Sequence, residues 1–147
     1  MKVERTAIVP HAVDKMFELV ARVEDYPKFL PWCSDARILE RKSEVVQARV
    51  FMNYLMVKQS FTTENREIKN QSIHIDLLDG PFRYLKGFWQ FKEIKGLGCH
   101  IHLYLEYAVA QRLFANVLGS VFDTIAHTLM DAFIKEAERR YGCLLYT

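Results

Sequence analysis

The segment CHIHLYLEYAVAQRLFANVLGSVFDTIAHTLMDAFIKEAERRY (residues 99–141) contains the change of hydrophobic period that decides the fold. As far as residue 109, apolar and polar side chains alternate one by one, which predicts a β-strand with one dry and one wet face. After Ala110 the apolar residues recur every three or four positions up to about Tyr141, which predicts a single helix. Such a helix is about 46 Å long at 1.5 Å per residue. Its main apolar stripe contains Leu118, Phe122, Ile125, Leu129 and Phe133.

The strand pattern extends upstream from this segment to about residue 35. In the run from Val46 to Met52, for example, every second residue is apolar. Turns are predicted at residues 79–81 and 95–98, where glycine and proline interrupt the alternation. Gly87, inside a predicted strand, indicates a bulge or a sharp bend. The middle of the chain is therefore predicted to be a series of antiparallel strands.

The N-terminal part combines a strand, a short helix and an aromatic loop. Residues 2–9 are predicted to be extended, and an amphipathic helix is predicted over residues 12–23. The sequence Asp-Tyr-Pro at 25–27 is expected to end the helical region, because the residue before a proline avoids the helical conformation. The loop at 29–32 (FLPW) is unusually apolar for a connection.

These elements predict an α+β protein in which a curved antiparallel sheet wraps around one long C-terminal helix, with two short helices after the first strand. A helix is only about 10–12 Å across, so it does not fill a strongly curved sheet. We expect the remaining space to form a cavity lined by apolar side chains, as in most small-molecule sites. The same stripes are also typical of a solid core, and the pattern alone does not separate the two.

The composition is that of one globular domain. The chain has 147 residues, of which 50% are hydrophobic, and we assign one domain to 1–142 and a tail to 143–147. The net charge is only +2 and there is no arginine-rich tail, so composition gives little reason to expect nucleic acid as a partner, and DNA is not expected.

The location of the protein is predicted from its N-terminus and its cysteines. The charged start (MKVERTAIVPH) does not resemble a signal peptide, and we see no stretch near the roughly 20 apolar residues of a membrane span. Cys33, Cys99 and Cys143 lie far apart, which predicts free thiols in a reducing compartment. We expect a cytoplasmic protein that makes transient peripheral contact with the inner membrane.

Residues 25–33 (DYPKFLPWC) resemble the signature of the coenzyme Q-binding, START-like family, which is also grouped with polyketide cyclase-like (SRPBCC) proteins. Further matches lie at 61–65 (FTTEN), 79–82 (DGPF), 89–91 (WQF) and 119–122 (GSVF). The resemblance covers nearly the whole chain and implies a helix-grip (START/Bet v 1-like) fold with a hydrophobic tunnel. The family includes mitochondrial coenzyme Q chaperones and the RatA branch of bacterial ribosome association toxins, so both roles remain open.

The first hypothesis is a carrier or chaperone that supports respiration by binding ubiquinone or a related isoprenoid lipid, with no required cofactor. Gln59, Thr63 and Asn65 share the strand face of Phe61 and are expected to orient the head group. The loop at 29–32 is expected to act as a lid. The candidate ligand-binding residues are Phe29, Leu30, Pro31, Trp32, Gln59, Phe61, Thr63, Asn65, Leu85, Trp89, Leu103, Leu105, Leu118, Gly119, Phe122 and Leu129.

The second hypothesis, implied by the resemblance, is a toxin that binds the large ribosomal subunit and blocks subunit association. Arg83, Lys86, Lys92 and Lys95 lie on or near one predicted hairpin and form the basic cluster that we nominate for this contact. A third hypothesis, a polyketide cyclase or dehydratase, rests on fold analogy alone. The expected pocket offers no acid–base pair for that chemistry.

No catalytic residue and no metal ligand are predicted. His100 and His102 share a strand face with Glu106, but this is the wet face of the sheet and favours solvated side chains over a metal site. Cys33 has no neighbour in the sequence that would serve as a base, so an inert thiol is expected.

His127 lies four residues from both Asp123 and Asp131 on the polar side of the predicted helix. This spacing would allow a carboxylate to orient the imidazole for base catalysis, but it is more typical of ordinary surface pairing. We therefore predict a binding protein and not an enzyme.

Overall fold

A computed structural model describes residues 1–110 and 115–142 of the chain. A 3₁₀ helix (Val23–Lys28) separates the first α-helix from the second strand. In chain order the other elements are β1 (Lys2–Val9), α1 (Val13–Ala21), β2 (Cys33–Lys42), β3 (Val45–Tyr54), β4 (Val57–Ile68), β5 (Ser72–Asp79), β6 (Phe82–Ile94), β7 (Gly98–Val109) and α2 (Ala115–Tyr141).

The seven strands form one antiparallel sheet in the order β1-β7-β6-β5-β4-β3-β2. Strands β2 to β7 follow one another as a meander, and β1 pairs with β7, so that β1 and β2 are the two edges. In β7 every second side chain from Cys99 to Tyr107 is buried, as the alternation predicts.

Helix α2 covers the dry face of the sheet, and the predicted helix-grip fold is confirmed. Its polar stripe is exposed at His127 and Asp131. The hydroxyl of Tyr107 in β7, the strand next to edge strand β1, donates a hydrogen bond to the carboxylate of Asp123 and links α2 to the sheet. The buried residues of its predicted stripe are Leu118, Phe122, Ile125 and Phe133.

The chain changes from α to 3₁₀ geometry at Arg22 and stays helical through Pro27. The break between the two short helices therefore lies earlier than predicted, at Arg22, and residues 25–27 belong to the second of them. A 3₁₀ helix has φ near −50 to −70°, which matches the φ of about −65° that the proline ring imposes.

Gly87 does not form the predicted bulge. It pairs with Ile75 and Leu105 with no shift of register. A Cβ atom at this position would lie 2.0 Å from the carbonyl oxygen of Tyr104, so the glycine permits a close approach of the β7 backbone.

Helix α2 is long and apolar enough to cross a membrane by length and composition alone, with a mean hydropathy of 1.3 within Val117–Tyr141. The prediction that no segment approaches such a span is wrong on this measure. The core helix of a soluble protein gives the same signal, and the apolar stripe of α2 packs against the sheet.

The hairpin between β3 and β4 turns through two bulky apolar residues, Leu55 and Met56. Both have positive φ, 48° and 69°, between the paired residues Tyr54 and Val57. This geometry is typical of a type I′ turn, which favours Asn-Gly because L side chains are strained there. Leu55 is 65% exposed and Met56 is 100% exposed, so no packing within the described residues offsets the strain.

Replacing the turn by the favoured residues, Leu55→Asn with Met56→Gly, is expected to raise the free energy of unfolding by about 1 kcal/mol, because the strain is removed and no buried contact is lost. Urea denaturation followed by circular dichroism measures the change. Gly96→Ala provides the opposite control, since Gly96 has φ of +73° and open space around it. A double variant less stable than the wild type would show that the two side chains contribute contacts that outweigh their strain.

Candidate functional site

A cavity of about 100 Å³ lies between the dry face of the sheet and α2. Most of its lining is aliphatic or aromatic, and the described residues that line it include no Asp, Glu, His, Lys, Arg or Cys. The lining residues are Val23, Tyr26, Trp32, Ala48, Val50, Phe61, Thr63, Asn65, Ile75, Leu85, Trp89, Leu105, Phe122, Ile125, Ala126, Leu129 and Phe133.

Two aromatic clusters bound this space along α2. Phe133 packs edge-on against Tyr26 and Phe29, with ring centroids 5.3 Å apart in each case, and against Trp89 at 5.2 Å. Phe122 lies eleven positions earlier on α2, about 16 Å away at 1.5 Å per residue. Its cluster contains Phe61, Phe82 and Tyr107.

Two buried polar side chains, Thr63 and Asn65, face the cavity from β4. They share a face because they are two residues apart on a strand. The Thr63 hydroxyl donates a hydrogen bond to Oδ1 of Asn65 at 2.9 Å. The amide N–H groups of Asn65 then remain as donors that no side-chain hydrogen bond among the described residues uses. A ligand carbonyl that reached these N–H groups would accept a hydrogen bond from them.

Trp32 separates the cavity from a groove of about 280 Å³ on the surface. Ile125 and Leu129 of α2 line both spaces, as does Trp32 itself. The groove continues past Tyr54 at the end of β3 and Lys135 of α2. These three side chains therefore form the wall between the cavity and the surface groove.

A cluster of charged side chains holds the 3₁₀ helix against α2. Asp25 is buried, and its carboxylate accepts hydrogen bonds from Arg22 Nε at 3.1 Å and Lys28 Nζ at 3.3 Å. Arg140 of α2 lies 3.5 Å from the same carboxylate and donates through Nε to Glu136 at 2.6 Å. Burial opposes ionisation of Asp25, but the bonds from Arg22 and Lys28 outweigh it and lower the pKa of Asp25. This cluster positions Val23 and Tyr26 at the cavity.

The structure places many of the predicted ligand-binding residues at the cavity. Leu30 and Pro31 do not line it and border the surface groove. Phe29 lies behind Tyr26 and Phe133 in the first aromatic cluster. The predicted residues that line the cavity are Trp32, Phe61, Thr63, Asn65, Leu85, Trp89, Leu105, Phe122 and Leu129.

Four further predicted residues lie away from the cavity. Gln59 is on the expected strand face but borders a separate polar groove near the β3–β4 hairpin, so it cannot orient a head group beside Asn65. Leu103 and Leu118 are buried in the core outside the lining. Gly119 does not line the cavity, and a Cβ there would make only an ordinary contact with Val109 at 3.9 Å, so neither an open tunnel nor tight helix–sheet packing requires a glycine at this position.

Eight lining residues were not among the predicted ones. Ile125 and Phe133 belong to the apolar stripe that the helical period reveals, so the signal was present in the sequence. Tyr26 belongs to the same run, residues 25–33, as the predicted ligand-binding residues at 29–32. The others are Val23, Ala48, Val50, Ile75 and Ala126.

The side chains that could act in catalysis either form hydrogen bonds with other groups or have a pKa that does not suit catalysis. Burial raises the pKa of Cys33 to about 11, opposite to what a nucleophilic thiolate needs. Burial also raises the pKa of Tyr26, whose hydroxyl donates to the carbonyl of Val20.

His127 does not form a catalytic arrangement with Asp123 and Asp131. Nδ1 of His127 bonds to the backbone carbonyl of Asp123 at 2.7 Å, while the Asp123 carboxylate accepts from Tyr107. Asp131 pairs with Arg5 of β1 at 3.4 Å.

The strand pair His100 and His102 lies on the outer face with Glu106. His102 bonds to Glu4 at 2.6 Å, and Glu106 lies between Lys2 and Lys86. No group of metal-binding side chains occurs within residues 1–110 and 115–142.

The predicted basic cluster is spread along β6. Lys86 and Lys92 are exposed on one face, but six residues of a strand separate them by about 20 Å. Lys86 is also paired with Glu106 at 3.6 Å. Arg83 and Lys95 lie towards opposite ends of the strand, so the four residues do not form one compact patch.

Comparison with known families identifies the fold group. The family described as polyketide cyclase / dehydrase and lipid transport matches residues 9–134. The chain belongs to this family. The resemblance found in the sequence is therefore confirmed.

Known relatives carry two kinds of name. The chain is 37% identical over 140 residues to the ribosome association toxin RatA of Pseudomonas aeruginosa, covering 95% of this chain and 97% of that one. It is 25% identical to the mitochondrial coenzyme Q-binding protein COQ10 homolog B of Xenopus laevis, covering 92% of this chain and 57% of that one. The ZhuI aromatase/cyclase of Streptomyces sp. R1128 has a similar structure, with a TM-score of 0.82, 20% identity and coverage of 96% and 95%, and it supports the fold alone.

The charged cluster predicts a pH-dependent stability. Hydrogen bonds from Arg139 and Arg140 lower the pKa of buried Glu136 from 4.5 to about 2 against the opposing effect of burial. Because the folded pKa lies below the unfolded one, the stabilisation is complete above pH 4.5 and disappears as the pH falls towards 2. We expect Glu136→Gln to lower the free energy of unfolding by about 2 kcal/mol at pH 7 and to have no effect near pH 2.

Denaturant titrations at several pH values measure this difference. Glu138→Gln is the matched control, because Glu138 is an exposed carboxylate on the same helix. A Glu136→Gln variant that is equally destabilised at pH 2 and pH 7 would contradict the ionic explanation.

Proposed function

We propose that the chain binds a hydrophobic molecule with a hydrogen-bond-accepting head, of which ubiquinone is the best candidate, between the sheet and α2. The observation that carries the proposal is the Thr63–Asn65 pair inside an apolar cavity. A quinone carbonyl accepts hydrogen bonds, and its ring suits a space bounded by Trp89, Phe61 and Phe122.

The volume of the cavity dictates how a long-chain ligand would be held. About 100 Å³ is less than the roughly 300–1,000 Å³ of typical small-molecule sites. An isoprenoid tail therefore needs additional space, and the groove beyond Trp32 supplies it. We propose that the head lies at Asn65, that Trp32 swings aside, and that the tail lies along the groove past Leu129.

A carrier without catalysis fits the chemistry of the lining. Tyr26 is the one ionisable side chain among the described lining residues, and its raised pKa keeps it neutral. The ZhuI aromatase/cyclase shares the fold, but that likeness does not supply an acid–base pair here. We therefore propose binding and delivery in preference to turnover.

A second candidate function is association with the large ribosomal subunit. The relative that favours it, the RatA toxin of Pseudomonas aeruginosa, matches the chain over nearly its full length, whereas the COQ10 homologue is less similar. The two functions do not exclude each other, because the cavity is internal and a ribosome contact requires the outer surface.

Ligand uptake is expected to depend on the Asn65 amide. Asn65→Leu should weaken binding of ubiquinone-2 about tenfold, because one hydrogen bond to the head is lost, and should leave squalene, which has no carbonyl, unaffected. Quenching of Trp89 fluorescence reports binding of ubiquinone-2, displacement of ubiquinone-2 reports binding of squalene, and Trp89→Phe identifies the reporter.

Gln59→Leu is the matched control, since this substitution also replaces a side-chain amide by leucine, but at a position outside the cavity. If ubiquinone-2 neither binds nor quenches the wild type, the carrier proposal fails. If Gln59→Leu and Asn65→Leu lower its affinity equally, the head does not lie at Asn65.

Ribosome association predicts that the purified chain lowers the yield of joined ribosomes when separate subunits are mixed, as seen in sucrose gradients. Binding to the large subunit should weaken with rising salt. Reversal of Arg83 and Lys92 to glutamate tests the candidates on β6. Weaker subunit binding with a flatter salt dependence supports them, and unchanged binding places the contact elsewhere.

A further inference from the structure

The outer face of β2 and β3 contains an unusual pair of like charges. Arg37 and Arg49 lie directly opposite each other in the strand register. Like charges in this position destabilise a sheet. Both guanidinium groups lie over the ring of Phe51, with the guanidinium carbon of Arg37 5.2 Å and that of Arg49 5.3 Å from its centroid.

The positive charge at this place is only partly neutralised. Asp35 pairs with Arg37 at 2.9 Å. Arg49 donates to the hydroxyl of Ser60 at 2.8 Å, forms no ion pair with any described carboxylate, and has a buried Nε without a hydrogen-bond partner. Lys58, on the neighbouring strand, is exposed and also forms no ion pair within the described residues. Only Arg37 of these three cations forms a salt bridge, while Glu64 and Asp79 lie on the same face of β4 and β5 without pairing with them, so an anion would relieve the repulsion.

A polar groove of about 440 Å³ runs beside this cluster. Its walls supply hydroxyl, amide and ammonium groups around one edge of the phenyl ring. The groove is lined by Ser34, Phe51, Met52, Asn53, Lys58, Gln59 and Ser60. An aromatic ring flanked by guanidinium groups stacks nucleobases, and nearby cations and hydroxyls bind phosphate and ribose.

We propose that this outer face, centred on Phe51 with Arg37, Arg49 and Lys58, binds single-stranded RNA. One ring beside one groove suits an unstacked base, whereas bases in an A-form duplex are hidden from such a surface. The planar guanidinium groups of Arg37 and Arg49, supported by the ring beneath them, supply the stacking platform, and Lys58 binds the backbone. The low net charge of the chain does not oppose this, because the excess is local.

The RNA surface is separate from the ligand cavity. In β3 Ala48 and Val50 line the cavity, while Arg49 and Phe51 alternate with them and point to the opposite face. Failure of quinone uptake would leave this proposal intact. The surface would also give ribosome association an RNA contact, although oligonucleotide binding tests it without ribosomes.

The test is fluorescence anisotropy of a labelled 12-nucleotide oligouridylate titrated with the full chain between 50 and 300 mM KCl. The slope of log affinity against log salt should be about −2, since three cations each contribute about 0.7 on a single strand. Phe51→Leu should lower the affinity about fivefold or more through lost stacking. Arg49→Gln and Lys58→Gln should each lower the affinity and reduce the slope by about 0.7.

Two matched variants control for general effects. Phe88→Leu removes another outer-face ring, which lies among His74, His102 and Tyr104. Arg66→Gln removes an exposed cation further along β4. Both should bind the oligonucleotide like the wild type, and all variants should still quench with ubiquinone-2 to the wild-type extent.

Inorganic polyphosphate distinguishes RNA recognition from simple attraction of anions. It should bind the wild type and Phe51→Leu equally, because it has no bases to stack. Unchanged oligouridylate affinity in both Phe51→Leu and Arg49→Gln overturns the proposal, as does a larger loss in Phe88→Leu. Tighter binding of a 12-base-pair RNA duplex than of the single strand overturns the assignment to unpaired bases.

Discussion

Helix α2, together with α1 and the 3₁₀ helix, has to shield the dry face of a seven-stranded sheet, and the rest of the molecule depends on this constraint. Helix α2 supplies one apolar stripe, which is narrower than the concave surface it covers. The aromatic clusters around Phe122 and Phe133 fill the space on either side of the gap. What they leave unfilled is the cavity. The ionic cluster of Asp25, Arg140 and Glu136 then holds the 3₁₀ helix in place, so the N-terminal part of the chain completes the lining.

The fold was predictable because hydrophobic period reports burial directly, residue by residue. The site was predictable only in part. The hydrophobic period shows which face of the sheet a residue occupies, but it does not show whether that part of the strand lies at the cavity. Gln59 and Thr63 share one face of β4, yet only Thr63 reaches the cavity. Cross-strand pairing is equally hidden in the sequence: nothing in the spacing of β6 shows that Lys86 meets Glu106.

Strand β3 is central to both proposed activities. Its alternate residues belong to two different environments, an apolar cavity on one side and a charged groove on the other. Substitutions one residue apart can therefore separate lipid binding from RNA binding. The same arrangement provides a short physical route for coupling, since a ligand that displaces Val50 would shift the backbone that carries Phe51.

The acidity of the two described cysteines matters for any electrophile that the cavity binds. Thiolates add to quinone rings at unsubstituted carbons, so a protein that bound such a quinone would risk becoming covalently joined to it. Cys33 and Cys99 are both buried, and burial raises the pKa of each to about 11. At neutral pH they remain almost entirely in the thiol form, which is a poor nucleophile. Neither of them lines the cavity, so an electrophile bound there under our proposal would meet no thiolate from the described residues.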